Sequence, residues 1–187
     1  RAHRAATWLS GAVVRRIGPR GERGVPRLAL ERSADVAAAE PADVTWRPVL
    51  DGARDVVREL PVGEPGRLRF WDDVRRFSYS SSVLEVRGGR LVGESAALVT
   101  PGGRLDLERS PYFGIHSWRE HPVYLRPRLP RTEHVEGTVV SLASHASARN
   151  YYHSLMDALP RFGLFREAYP DLEPDAVVVG HTTRWDA

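Results

Sequence analysis

The chain has 187 residues, of which 42% are hydrophobic and 27% charged, a composition that is typical of globular proteins and excludes wholesale disorder. It contains no cysteine, which excludes disulfides, thiolate metal sites and cysteine nucleophiles. Every cationic side chain is arginine, but the net charge is only +3 and acidic residues are interleaved with the arginines, so the pattern does not indicate a nucleic-acid-binding surface.

Residues 1–65 are predicted to form an irregular and helical N-terminal region. Ala5 to Ile17 has the periodicity of a short amphipathic helix. Asp51 to Leu60 is predicted to form a second short helix that ends at Pro61 and Gly63. No apolar run approaches the roughly 18 residues that cross a bilayer. The first helix is expected to pack on the domain, with peripheral contact to a membrane surface as the alternative. Its apolar residues fall on one side: Trp8, Leu9, Val13 and Ile17.

Residues 66–136 are predicted to be rich in β-hairpins. Gly88-Gly89 separates two short apolar runs, 83–86 and 90–93, and predicts a first hairpin. The turn sequence at 101–103 separates 97–100 from 104–107 and predicts a second, so the region is expected to be an antiparallel meander. Residues 110–132, rich in proline and aromatic residues, are expected to form an irregular arm that closes it.

Residues 137–187 predict the start of an α/β lobe. A short apolar strand at 137–142 precedes a helical stretch from Arg149 to Tyr169, and a β-branched run follows at 176–180. Strand, helix and strand in this order predict a βαβ unit with two adjacent parallel strands. Because the chain ends shortly after the second strand, we expect the lobe to be incomplete.

The predicted helix carries the best candidate for a functional site. On a helical wheel, Asn150, His153, Asp157 and Arg161 share about a quarter of the circumference. His153 and Asp157 are four residues apart and can form a hydrogen bond that fixes the tautomer of the imidazole. A solvated helix face is the alternative, but it would favour long flexible charges. The opposite side is apolar and contains Tyr151, Leu155, Leu159 and Phe162.

These residues resemble a known family. Asn150-Tyr151-Tyr152-His153, followed after three residues by Asp157-Ala158-Leu159-Pro160-Arg161, resembles the N-Y-x-H-x-x-x-D-x-L-P-R signature of glycosyltransferase family 61. Bacterial members of this family are associated with capsular polysaccharide biosynthesis. The stretch 97–105 is similar to the family's region upstream of the signature, so the resemblance covers roughly residues 80–187. Ser154 departs from it, since many members carry an aromatic residue after the histidine.

The resemblance implies an inverting glycosyltransferase that moves a sugar from a nucleotide-sugar to a glycan or polysaccharide acceptor, within a GT-B-type fold of two facing Rossmann-like lobes. It implies His153 and Asp157 as catalytic residues, and Asn150, Tyr151 and Arg161 as substrate-binding residues. Neither a metal nor a cofactor beyond the donor substrate is expected, nor a nucleic-acid partner. The expected location is the cytoplasm, with peripheral association at the inner membrane face as the alternative. The 187 residues alone are expected to be inactive.

Three other interpretations stay open beside this one. The first is a non-enzymatic β-rich module that binds a carbohydrate or a partner, in which case Tyr112, Trp118 and Tyr124 would line an exposed groove. His116 and His121 are five residues apart and could belong to a zinc site, although no third ligand has a suggestive spacing. Asp72-Asp73 fits a helix cap or turn better than a metal site.

Overall fold

The computed structural model describes residues 2–57, 76–94, 96–147 and 150–180, and shows a mixed α/β protein with parallel and antiparallel strand pairs. The first half contains α1 (Ala2–Ile17), β1 (Leu28–Leu30), α2 (Ser33–Ala39), β2 (Val44–Val57) and β3 (Arg76–Val86). The second half contains β4 (Arg90–Val92), β5 (Ala97–Val99), β6 (Arg104–Asp106), β7 (Val139–Ser141), α3 (Tyr151–His153), α4 (Leu159–Ala168) and β8 (Ala176–Val178). Asp72-Asp73 lies outside the described residues.

The main sheet has the strand order β1-β6-β5-β4. The predicted hairpin at 101–103 is confirmed, since β5 and β6 are antiparallel and pair Val99 with Leu105. β4 is antiparallel to β5, whereas β1 is parallel to β6, so the 1–65 and 66–136 segments contribute to one sheet. The hydrophobic core lies against this sheet and consists of Val25, Ala97, Val99, Leu105, Val123, Tyr124 and Leu129.

The predicted hairpin at Gly88-Gly89 is wrong, because the two strands beside it belong to different sheets. β3 pairs with β2, and the Arg87 N–H extends that pairing by donating to the Asp43 carbonyl at 2.8 Å. β4 pairs instead with β5. Gly88, with φ +63, reverses the chain as a turn residue should, but a turn signal does not determine which strands pair.

The predicted helix from Asp51 to Leu60 is also wrong over its described residues. Residues 51–57 belong to β2, and Arg54–Val57 pair with Arg76–Tyr79 of β3. The register shifts between Pro48 and Leu50 and again between Leu50 and Arg54, which fits a proline within a strand because its missing N–H cannot join the ladder. Pairing with the long partner strand β3 thus determines the conformation of these residues. Residues 58–60 lie outside the described residues.

The predicted first helix is confirmed as α1, and the irregular arm at 110–132 is confirmed as well. Within the arm, two 3₁₀ turns, Trp118–Glu120 and Pro122–Leu125, provide most of the contacts to α1. Tyr124 is fully buried and belongs to the core. The arm therefore closes the main sheet from the side on which α1 docks.

The predicted βαβ pairing is confirmed, because β7 and β8 are parallel and pair Val139 with Ala176 and Ser141 with Val178. The turn before β7 requires glycine, since Gly137 has φ +86 and the Asp175 side chain occupies the space of a Cβ atom. Asp175 accepts the Thr138 N–H at 2.7 Å and so joins the starts of the two strands. Val177 and Val179 remain exposed, unlike the residues of a strand buried on both faces. In the described part of the chain, no helix has the length and apolar character needed to cross a membrane.

Candidate functional site

A turn built from two serines leads from β7 into the helix that carries the predicted site. The Ser144 N–H donates to Ser147 Oγ at 2.9 Å, and the Ser147 N–H donates to Ser144 Oγ at 3.2 Å. Both serines are buried, so these hydrogen bonds satisfy backbone groups that water cannot reach. Asn150 then caps the helix, since its Oδ1 accepts the Tyr152 N–H at 2.9 Å.

The helix is continuous from Tyr151 to Ala168 but contains a π-helical turn over Ser154–Ala158 between α3 and α4. We call the whole stretch, residues 151–168, the site helix. Pro160 explains the wider turn, because a proline lacks the N–H of a regular helix and its ring collides with the carbonyl four residues earlier. Leu159 donates instead to the Ser154 carbonyl, five residues back. Single π-turns are frequent at functional sites.

His153 and Asp157, four residues apart on the site helix, are in direct contact. His153 Nδ1 and Asp157 Oδ2 are 2.5 Å apart, and both side chains remain partly accessible to solvent. A carboxylate at Nδ1 favours the tautomer with a proton on that nitrogen, which leaves the Nε2 lone pair available as an acceptor. The predicted hydrogen bond between the two side chains is therefore confirmed, and it creates an oriented imidazole that water and solutes can reach.

Arg161 lies one turn further along the same helix and is anchored by its Nη1, which donates to the Ala143 carbonyl at 3.2 Å. Burial lowers the pKa of Arg161, the positive charge of Arg109 lowers it further, and the Asp157 carboxylate opposes both effects. Arg161 is thus within electrostatic range of both Arg109 and Asp157. Arg161 therefore brings a positive charge near the Asp157 carboxylate.

Arg109 is the residue that sequence reasoning missed. It follows β6, and the Asp106 carboxylate fixes its backbone by accepting the Arg109 N–H at 2.9 Å. Its Nη2 donates to the Ser82 carbonyl at 3.1 Å and to the Ser82 hydroxyl, whereas its buried Nε has no hydrogen-bond partner. It is 52 positions from Arg161 in the sequence, so no spacing could have connected the two residues.

The other predicted binding residues are placed less centrally. Asn150 Oδ1 is engaged in the helix cap, and Tyr151 is largely exposed to solvent. Ser154, which departs from the family signature, donates to the Ser147 carbonyl at 2.5 Å and so ties the helix to the serine turn. The apolar side of the helix is exposed at Tyr151, Leu155 and Leu159.

The aromatic arm does not form the exposed groove that the binding-module interpretation requires. Tyr124 is fully buried, and Trp118 is half-buried with its ring centroid 5.7 Å from that of Tyr124. His121 is also fully buried, and its Nδ1 accepts the Val123 N–H at 3.2 Å. Among the described residues, His116 and His121 belong to no group of three metal-ligating side chains.

Comparison of the chain with protein-family models, with curated proteins and with solved structures found no match.

Proposed function

We propose that this chain carries the acid–base centre of an inverting glycosyltransferase of the family 61 type, acting on a nucleotide-sugar and a glycan or polysaccharide acceptor. One observation carries the proposal: an oriented His153–Asp157 pair lies on the same helix as Arg161, whose charge interacts with the Asp157 carboxylate. Inverting transfer needs a base for the acceptor hydroxyl and positive charge for the departing phosphate, and both are combined here.

In the proposed reaction, His153 Nε2 removes the proton from an acceptor hydroxyl as the oxygen attacks the anomeric carbon. A bond forms between that oxygen and the anomeric carbon while the bond from the carbon to the phosphate oxygen breaks. The nucleoside diphosphate leaves with the electron pair, and the proton stays on the imidazole. Asp157 positions the ring through Nδ1 and stabilises the imidazolium cation that forms.

The arginines are assigned to the negatively charged groups of the substrates. Arg161 has one Nη1 hydrogen bond to a carbonyl and so retains donor capacity for a phosphate. Arg109, whose Nη2 donates to Ser82, is assigned an electrostatic contribution only. Guanidinium groups recognise phosphate oxygens in a bidentate manner. An anion bound at Arg161 would also relieve the repulsion between its charge and that of Arg109.

The proposed fold context is a Rossmann-like lobe of a GT-B-type enzyme. Two facts support it: β7 and β8 are parallel neighbours, and the site helix begins beyond the carboxyl end of β7. In open α/β sheets, ligands bind at this edge. His153 lies in the first turn of the helix, where such a ligand would be found.

The experiment measures nucleoside diphosphate release and glycan transfer by the full-length protein, with a panel of nucleotide-sugars. Asp157→Asn preserves shape and should lower the transfer rate by about 10²–10⁴-fold, the usual contribution of a positioned acid–base group. His153→Ala should have an effect of similar size. The double variant should be little worse than either single one, because residues that act as a unit are not additive.

Two exposed residues outside the site provide matched controls. Asp171→Asn and His134→Ala repeat the same chemical changes and should leave transfer unchanged. If Asp157→Asn and His153→Ala are as active per folded molecule as the two control variants, the contact between His153 and Asp157 is structural and the proposal is wrong. Losses that multiply in the double variant would instead show that His153 and Asp157 work independently.

A further inference from the structure

α1 is docked by its small and polar side. Thr7 is fully buried, and Ser10 Oγ donates to the Tyr124 carbonyl at 2.6 Å. A Cβ atom at Gly11 would lie 2.9 Å from Tyr124 Cβ, so glycine permits the close approach of helix and arm. The Arg15 guanidinium lies 4.9 Å from the Trp118 ring centre and 5.0 Å from that of Tyr124. These contacts fix which side of α1 faces outward.

The outward side of α1 carries its large apolar residues. Surface helices ordinarily bury the apolar stripe and expose the polar one, whereas α1 packs Val14 against the core and leaves its larger apolar stripe exposed. At 100° per residue these residues span about half of the helix circumference. They are between 49% and 81% exposed: Trp8, Leu9, Val13 and Ile17. We call these four residues the outer face of α1.

The charge distribution indicates what the outer face contacts. Residues 1–21 contain five arginines and no acidic residue, although the whole chain has a net charge of only +3, so the remaining residues are net acidic. Arg16 is exposed on the same side as the outer face, and Arg20 is exposed just beyond the helix. A second copy of α1 would bring like charges together, whereas an anionic lipid surface is complementary to both the apolar and the cationic groups.

We infer that the outer face of α1 lies in the interface of an anionic lipid bilayer, parallel to its surface. Trp8 is suited to the headgroup boundary, where an amphipathic ring is favourable, and the stem of Arg16 can extend its charge to the phosphates. With 16 residues, α1 is about 24 Å long and shorter than the roughly 30 Å hydrocarbon core, so it lies on the membrane and does not cross it.

The test is co-sedimentation of the 187-residue chain with vesicles of phosphatidylcholine alone and of phosphatidylcholine mixed with phosphatidylglycerol. The chain should bind the anionic vesicles and not the neutral ones, and added salt should weaken the binding. Val13→Glu should lower the partition coefficient by roughly tenfold or more, because it places a carboxylate where an apolar side chain enters the interface. Arg16→Glu should also weaken binding, through lost attraction to the lipid.

Matched controls separate α1 from general surface effects. Phe113→Glu places a carboxylate at an exposed apolar residue of the arm and is the control for Val13→Glu. Arg126→Glu reverses the charge of an exposed arginine and is the control for Arg16→Glu. Both should bind almost as wild type does. Circular dichroism and thermal unfolding confirm that each variant folds, which is expected because α1 docks through its other side.

Three results would overturn the inference. The first is a lack of binding to the anionic vesicles, and the second is an equal loss of binding in Val13→Glu and Phe113→Glu. The third is a dimer, seen by light scattering, that Val13→Glu dissociates. That result would assign the outer face to contact between two copies of the chain.

Discussion

The main sheet and the site helix differ in how they are packed. Around the main sheet, Val99, Leu105 and Tyr124 are fully buried and belong to one core. On the site helix, Ala158 and Phe165 are buried, whereas Met156 and Leu159 are exposed. The candidate chemical groups are thus located away from the residues that contribute most to stability. Substitutions in the two regions should therefore affect stability and activity separately.

The largest expected effect comes from the same substitution made in both regions. Leu105→Ala removes a fully buried side chain from the core and should lower the free energy of unfolding by about 2–5 kcal/mol. Leu159→Ala, at a position that is 55% exposed, should change it by less than about 0.5 kcal/mol. Urea denaturation followed by circular dichroism measures both values. Similar losses in the two variants would show that the site helix is packed as tightly as the main sheet.

Acid should destabilise the main-sheet region through His121. Burial, with a smaller contribution from the charge of His145, lowers the pKa of His121 from 6.5 to about 4, against the opposing effect of the Ser110 backbone. Between these two pH values the unfolded chain binds a proton that the folded chain does not. The free energy of unfolding should therefore fall by on the order of 3 kcal/mol as the pH drops from 6.5 to 4.

The variant that isolates this effect is His121→Asn, since Asn Oδ1 can replace Nδ1 as acceptor for the Val123 N–H. Denaturation midpoints are measured across the same pH range. The variant should lose most of the pH dependence between 4 and 6.5, whatever its stability at neutral pH. His134→Ala, at an exposed position, should keep it. An unchanged pH dependence in His121→Asn would assign the effect to other groups.

A smaller effect is expected from Glu40, which joins α2 to the turn between β5 and β6. Its carboxylate accepts hydrogen bonds from Thr100 Oγ1 at 2.6 Å, Arg104 Nη1 at 2.7 Å and the Gly102 N–H at 2.9 Å. Burial alone would raise the pKa of Glu40, but these hydrogen bonds outweigh it and hold the pKa below its ordinary value of 4.5. The stabilisation is complete above that value and is lost as the pH falls through the lowered pKa.

Glu40→Gln should therefore lower the free energy of unfolding by about 1–3 kcal/mol at neutral pH, since it weakens charge-assisted hydrogen bonds. The difference from wild type should shrink in acid, where the wild-type carboxylate is also neutral. Glu133→Gln, at an exposed position, should have no measurable effect. A difference between Glu40→Gln and wild type that is constant with pH would show that shape alone, and not charge, stabilises this contact.

The features that the sequence predicts correctly are those with local causes. The hairpin at 101–103 follows from its turn residues, and α1 and the site helix follow from periodicity. The His153–Asp157 contact follows from a spacing of four residues on a helix. The parallel pairing of β7 with β8 follows from the order of the elements.

The features that the sequence did not reveal depend on contacts between distant segments. β2 is a strand because β3 is available as its partner, and the interaction of Arg109 with Arg161 joins segments that are 52 positions apart. The π-turn also escaped prediction, since Pro160 indicated a kink but not how the helix would absorb it. The exposure of the apolar side of the site helix depends on tertiary packing, which the helical wheel does not contain.

The β2–β3 ribbon has a consequence for how sequence changes are tolerated. Its strands contact both α2 and the site helix, and near the end of that helix Arg47 stacks on Tyr169 while the Tyr169 hydroxyl donates to Glu85 Oε2 at 3.0 Å. The distance between the main sheet and the site helix is thus set by this ribbon. Residues 130–136, which connect the two regions along the chain, are mostly exposed and irregular. Insertions or deletions there change the length of a connection without moving the site, so this stretch is free to diverge over evolution.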